Sequence, residues 1–151
     1  MRKHKGFTLI ELVVVVMILG ILAAVAAPKL LGTSSAAADN GIKQTLAIVR
    51  NAIEIYAAEN GGELPAQGSI DEAAFKTAIA PYLRGAFPIC PVAGKTNKVK
   101  MTATAGAIAG EAGNSQEESW YYNSADGQFI VNSSEFTNSE ADDPLLKYDQ
   151  L

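Results

Sequence analysis

Glu11 lies one helical turn into an otherwise uncharged apolar run, Phe7–Ala27, whose only hydroxyl is Thr8. A carboxylate at membrane depth costs about 3 kcal/mol and asks for a functional explanation, normally a cationic partner. The rest of the chain offers little conventional chemistry. Its one histidine, His4, stands in the basic start Arg2-Lys3-His4-Lys5, and its one cysteine is Cys90. Without a histidine after residue 4, general-base histidines, Ser-His-Asp triads and ordinary zinc sites are excluded from the body of the protein. A single cysteine forms no internal disulfide, and Cys90 reads as a small buried apolar side chain. Glu117 and Glu118 are adjacent, so on a strand they point to opposite faces and make no acid/base pair. Asp126, Glu135, Glu140, Asp142 and Asp143 show no metal-ligand spacing and read mainly as a solvated acidic tail. No catalytic site and no metal site are expected.

The elements that hold Glu11 come next. Phe7–Ala27 is twenty-one residues long. As a helix rising about 1.5 Å per residue it spans the roughly 30 Å hydrocarbon core of a bilayer. The basic run before it stays cytoplasmic, which puts the C-terminal part on the other side. A secretory signal is the competing reading, with Val25-Ala26-Ala27 as a small-residue cleavage site. The length of the apolar run and the charge of Glu11 disfavour it. Beyond Pro28, the residues Ile42, Leu46, Val49, Ile53 and Tyr56 follow steps of four and three, the spacing of one helical face. Asn60-Gly61-Gly62 supplies a stop. One helix from Phe7 to about Asn60 would be roughly 80 Å long. Pro28 and Gly32 are expected to bend or loosen it, and Gly41 is a second weak point.

The remainder reads as a small head. Ser69-Ile70-Asp71-Glu72 fits a capping box with Ser69 as cap and Glu72 reaching back to its amide, followed by a short helix through Phe75 and Ile79 to about Pro81. Pro88 and Pro91 bracket a loop around Cys90. Strands are expected at 98–102, 120–123 and 128–132, the last two joined by a hairpin turn at Ser124-Ala125-Asp126-Gly127. Residues 103–116 read as a mobile loop and 137–151 as an acidic tail with little to bury. The fold class is α+β: a long N-terminal helix, half transmembrane and half amphipathic, packed on a small head with a short antiparallel sheet. Five segments follow: 1–6, 7–31, 32–60, 61–136 and 137–151.

Formal charge is −4 overall, with Arg2, Lys3 and Lys5 contributing +3 at the start. Residues 7–151 hold nine Lys and Arg against sixteen Asp and Glu, a formal −7. That balance argues against nucleic acid as a partner, because such binding draws on cationic contacts. Lys95, Lys98 and Lys100 read as a solvated loop and strand edge.

Lys5-Gly6-Phe7-Thr8-Leu9-Ile10-Glu11-Leu12, behind a basic leader and before an unbroken apolar run, resembles the processing site of type IV pilins and type II secretion pseudopilins. The resemblance is strong over residues 2–31 and thereafter extends only to layout. It implies that a membrane-embedded peptidase cuts after Gly6, removing residues 1–6, and that the new amine on Phe7 is methylated. Glu11 matches the family's buried glutamate, and Pro28 falls where a helix-perturbing proline is common. Cutting would remove three fixed positive charges that resist extraction from the cytoplasmic face. It would also leave a cationic amine on Phe7, one turn before Glu11. Intersubunit pairing of Glu11 with a neighbour's Phe7 amine is the favoured reading. The alternatives are pairing with its own terminus and snorkelling to the interface. Gly20, Ala23, Ala24, Ala26 and Ala27 offer small-residue contacts between helices.

The function implied is that of a structural filament subunit, of pilus or pseudopilus type. It would sit in the inner membrane with its head outside the cytoplasm, and partner copies of itself, related pilins, prepilin peptidase, an assembly platform and lipid. No cofactor is expected, although pseudopilin heads often bind calcium, for which the head carboxylates are the candidates. The lone Cys90 cannot close the C-terminal disulfide loop frequent in pilins, which favours the pseudopilin side. A minor subunit whose head binds DNA or an exported substrate is the alternative, with Trp120, Tyr121, Tyr122, Phe129 and Phe136 as a conceivable patch. Aromatics at strand spacing are more often core.

Overall fold

The apolar spacing read from the sequence becomes a single helix, α1 (Leu9–Glu59), in the computed structural model. The structure describes residues 7–112, 117–135, 137 and 147–151, with positions 28–36 described in the backbone alone. Two units are distinguished, one ending at Ser35 and one from Ala36 to Leu151. Pro28, Gly32 and Gly41 lie within α1 and none of them ends it.

From Ala36 onward the amphipathic stripe buries as its spacing demands. Ile42, Leu46, Val49 and Ile53 are all buried, and Tyr56 is half-buried. Each such side chain contributes about 1.5–3 kcal/mol by leaving water. The helix stops where expected: Gly61 and Gly62 take positive φ, and the Gly62 amide donates to Ala57 O at 2.7 Å.

The short helix α2 (Glu72–Ile79) presents Phe75 and Ile79 to the same core and runs into a 3₁₀ turn at Ala80–Tyr82. Its cap differs from the expected one. Asp71, not Ser69, is the N-cap, accepting from the amides of Ala73 and Ala74. Ser69 Oγ accepts from Asp71 N at 3.1 Å, and Glu72 turns away to accept from Val99 N at 2.9 Å. Asp71 is nearer to the orphan amides and is anionic, so it displaces the serine from that role.

Three strands follow: β1 (Val99–Thr102), β2 (Trp120–Asn123) and β3 (Phe129–Val131), in the order β1-β2-β3. β2 and β3 form the expected antiparallel hairpin, with Gly127 at φ +75° in its turn. β1 and β2, however, are parallel, Val99 opposite Trp120 and Thr102 opposite Asn123. The sheet is therefore mixed, where a wholly antiparallel one was expected. The reason lies in residues 103–119: a parallel pair needs a connection of about a dozen residues or more, and this one is long enough.

The described part of that connection is tied down along the head. Amides of Gly106, Ile108, Gly110 and Glu111 donate to Asp126 Oδ2, Gln128 Oε1, Asp149 Oδ2 and Asn132 Oδ1, at 2.6, 3.1, 2.9 and 3.2 Å. These side chains take the place of a backbone ladder. Phe75 stacks on Tyr122 with centroids 4.2 Å apart, and Trp120 on Phe129 at 5.3 Å. The polar tips are satisfied, Trp120 Nε1 by Pro88 O and the Tyr122 hydroxyl by Pro65 O. Tyr148, in the segment expected to bury little, is also buried.

Candidate assembly site at the start of the long helix

Thr8 closes the N-terminus of α1. Its amide and its hydroxyl both donate to Glu11 Oε2, at 2.8 and 2.7 Å. In return the Glu11 amide donates to Thr8 Oγ1 at 3.3 Å. This is a capping box, with a threonine cap and a glutamate three residues on, each side chain satisfying an amide that the helix leaves without a partner. The first ladder bond, Leu12 N to Thr8 O, begins directly behind it. Thr8 was not picked out as a site residue from the sequence. The signal was there, as Thr-x-x-Glu ahead of an apolar run.

Glu11 thus has two donors from its own chain, both on one oxygen. Its other oxygen, Oε1, carries no hydrogen bond among the described residues. Phe7 lies one turn before Glu11 and is 78% exposed. Phe7, Ile10, Glu11, Val14 and Val15 line a shallow groove of about 320 Å³. Gly6, the other expected site residue here, lies outside the described residues. Leu9–Ala27 has a mean hydropathy of 3.0, and none of its side chains is buried within the chain. By length and composition the segment can cross a membrane. An unburied apolar surface of this size needs lipid or other protein around it.

Among the described residues the head carries no comparable arrangement. Trp120, Tyr122 and Phe129 are core residues and so are not part of an exposed aromatic patch, while Phe136 lies outside the described residues. Tyr121 is half-buried beneath the Lys100 ammonium. Lys98 pairs with Glu117, and Lys100 with Glu111, as befits a solvated edge. Asp126 is engaged by the Gly106 amide and Asn123 Nδ2. Among the described residues no three metal-ligating side chains cluster. Glu140, Asp142 and Asp143 lie outside them.

Residues 1–27 match the family model of the prokaryotic N-terminal methylation motif. The chain carries that motif. Similarity to known proteins extends past it. Over 83 residues the chain is 32% identical to the type II secretion system core protein G of Aeromonas hydrophila, covering 55% of this chain and 58% of that protein. Over 60 residues it is 43% identical to the core protein G of Vibrio cholerae serotype O1, covering 40% and 41%. A type IV narrow pilus major component of Thermus thermophilus is 41% identical over 60 residues, or 40% and 52% of the two chains. The chain thus spans between about two fifths and three fifths of the length of these relatives. No solved structure matches it. The resemblance to type IV pilins and type II pseudopilins is therefore a sequence relationship concentrated in part of the chain, joined to an α+β fold consistent with a pilin.

Proposed function

We propose that this chain is a structural subunit of a pilus- or pseudopilus-type filament. It is cut between Gly6 and Phe7, methylated on Phe7, anchored in the inner membrane by Leu9–Ala27 with its head outside the cytoplasm, and assembled through the start of α1. The observation that carries this reading is the pairing of an unburied apolar helix with a single ordered carboxylate, Glu11, at its entrance. A helix that needed only lipid would have no use for that charge. A carboxylate facing the Phe7 amine of a neighbouring copy offsets its desolvation and fixes the axial register between the two.

Copies of the chain and related pilins are the direct partners, with the peptidase and an assembly platform acting on the inserted form. No cofactor and no catalytic role belong to this reading. The relatives are core proteins G and a pilus component, so they support the subunit class and leave pilus and pseudopilus equally served.

Intact-mass and N-terminal analysis of the protein from native membranes tests it, comparing wild type with Gly6→Ala and Glu11→Ala. The expected mature chain starts at methylated Phe7. It is absent in the Gly6 variant, and in the Glu11 variant it is made but does not assemble. A chain starting after Ala27, or an uncut chain indifferent to both substitutions, would sink the reading.

A further inference from the structure

We infer that Asn60-Gly61, just past the end of α1, is a site of spontaneous covalent modification, where the asparagine amide is converted to aspartate and isoaspartate. The dipeptide Asn-Gly occurs at 40–41 and at 60–61. Glycine has no side chain to crowd its own amide nitrogen, so that nitrogen can reach the carboxamide carbon before it. In the step, hydroxide takes the proton of the Gly61 amide and the nitrogen bonds to Asn60 Cγ. The Cγ–Nδ2 bond breaks, and Nδ2 leaves as ammonia with a proton from water, which restores the hydroxide. Water then opens the cyclic imide at one of its two carbonyls. Attack at one gives aspartate, at the other isoaspartate, and nothing is oxidised or reduced.

The structure separates the two dipeptides. α1 ends at Glu59, so Asn60 and Gly61 lie outside the helix, and both are exposed. Gly61 stands at φ +69°, and its amide nitrogen carries no hydrogen bond among the described residues. The turn around it is held by Gly62 N to Ala57 O and by a long bond, Glu63 N to Asn60 O at 3.3 Å. Helix ends of this kind open at little cost. Asn40-Gly41 is inside α1, where the ladder occupies the Gly41 amide and the helical backbone keeps it from folding onto Asn40. Two further bonds pin that stretch. The Thr45 hydroxyl donates to Gly41 O at 2.8 Å, and the preceding residue, Asp39, is buried under the Tyr148 hydroxyl.

The change is one-way and it loosens the helix end. Asn60 Nδ2 donates to Tyr56 O at 2.8 Å, a bond that a carboxylate cannot make. The new charge falls at the negative end of α1, whose last turn has no basic residue and is followed by Glu63. Isoaspartate also lengthens the main chain by one carbon within the turn that closes on Ala57 O.

The test incubates the detergent-solubilised full chain in mildly alkaline buffer, folded and in denaturant. Peptide masses, with fragmentation to locate the change, follow the replacement of NH₂ by OH at residues 40 and 60. In the folded chain Asn60 should convert at least about tenfold faster than Asn40, which must wait for the helix to open. In denaturant the two should convert at similar rates, and Gly61→Ala should slow conversion at residue 60. An Asn60 that stays intact in the folded chain while it converts in the unfolded one would overturn the inference. So would an Asn40 that keeps pace in the folded chain, or one that lags equally in denaturant, where the fold protects neither. The inference is independent of the filament reading.

Discussion

The Tyr148 hydroxyl donates to Asp39 Oδ1 at 2.7 Å, joining two buried side chains 109 positions apart in sequence. Further along α1, Arg50 Nη1 donates to Leu151 O at 2.9 Å and Arg50 Nε to Phe129 O at 3.0 Å. Residues 147–151 are thereby stitched to α1 and to β3. The stitching is polar, and it reaches α1 at two positions three turns apart, Asp39 and Arg50, beside the apolar stripe.

Tyr148→Phe keeps the ring and removes the donor. Asp39 keeps its other contacts, so the loss is that of one hydrogen bond to a buried charged group, about 1.5–3 kcal/mol. Denaturant unfolding of the detergent-solubilised chain, followed by the fluorescence of its one tryptophan, the buried Trp120, should show a lower midpoint at unchanged slope. An unchanged midpoint would show that the bond contributes nothing net.

The capping of α2 can be settled by two alanines. Asp71→Ala should destabilise the head by about 1 kcal/mol, the usual loss for an N-cap. Ser69→Ala should lose only a small fraction of that, because its hydroxyl oxygen serves one amide outside the helix. The reverse order in the same unfolding measurement would restore the serine cap.

Gly110 has no room for a side chain. A Cβ built there lies 2.5 Å from the Ser133 amide nitrogen and 2.6 Å from its carbonyl carbon. Backbone, not a flexible side-chain end, would have to move. Gly110→Ala should therefore lower stability by about 1–3 kcal/mol, as overpacking does. The Gly110 amide bond to Asp149 would be strained with it, and hydrogen exchange at Gly110 should rise.

Alkaline pH should weaken the head in a defined order. Burial raises the pKa of the Cys90 thiol, and burial likewise raises that of the Tyr122 phenol. In the unfolded chain these groups ionise near their ordinary values, about 8.5 and 10. Their contribution to stability is whole below those values and is lost as pH climbs through and beyond them, because the unfolded chain gives up the protons first. The unfolding midpoint should start to fall near the lower value and steepen past the upper. Cys90→Ala should flatten the first part of the fall, and Tyr122→Phe the second. A midpoint that holds steady through both ranges would contradict the burial of these groups.

Much of this was legible in the sequence because it rests on spacing. The stripe from Ile42 to Ile53, the stop at Gly61-Gly62 and the three strand positions all came from local periodicity and turn chemistry, and the structure has them. The parallel pairing of β1 with β2 was not legible, since direction depends on where a long connection leads. Nor was the use of Tyr148, whose partner Asp39 lies at the far end of the head sequence. The two Thr/Ser-x-x-Glu patterns are instructive. At Ser69–Glu72 the pattern was read as a box, but Asp71 competes for the same amides and Val99 draws Glu72 away. At Thr8–Glu11 no competitor stands nearby, and the box forms.

The helix start also bears on proteolysis. α1 begins at Leu9, and the Glu11 amide turns to Thr8 Oγ1 instead of to the carbonyl of Phe7. Phe7 and Thr8 are not helical, so the residues that directly follow the proposed cut lie outside the ladder. Hydrolysis needs a nucleophile to approach a carbonyl carbon from above the peptide plane, and inside a helix the adjoining turns crowd that approach. A cap at Thr8 acts as a fence: the helical ladder ends at Leu9, and Phe7 and Thr8 stay outside it. On the cleavage proposed above, substitutions that carried the helix a turn earlier would slow processing while leaving the recognised sequence intact.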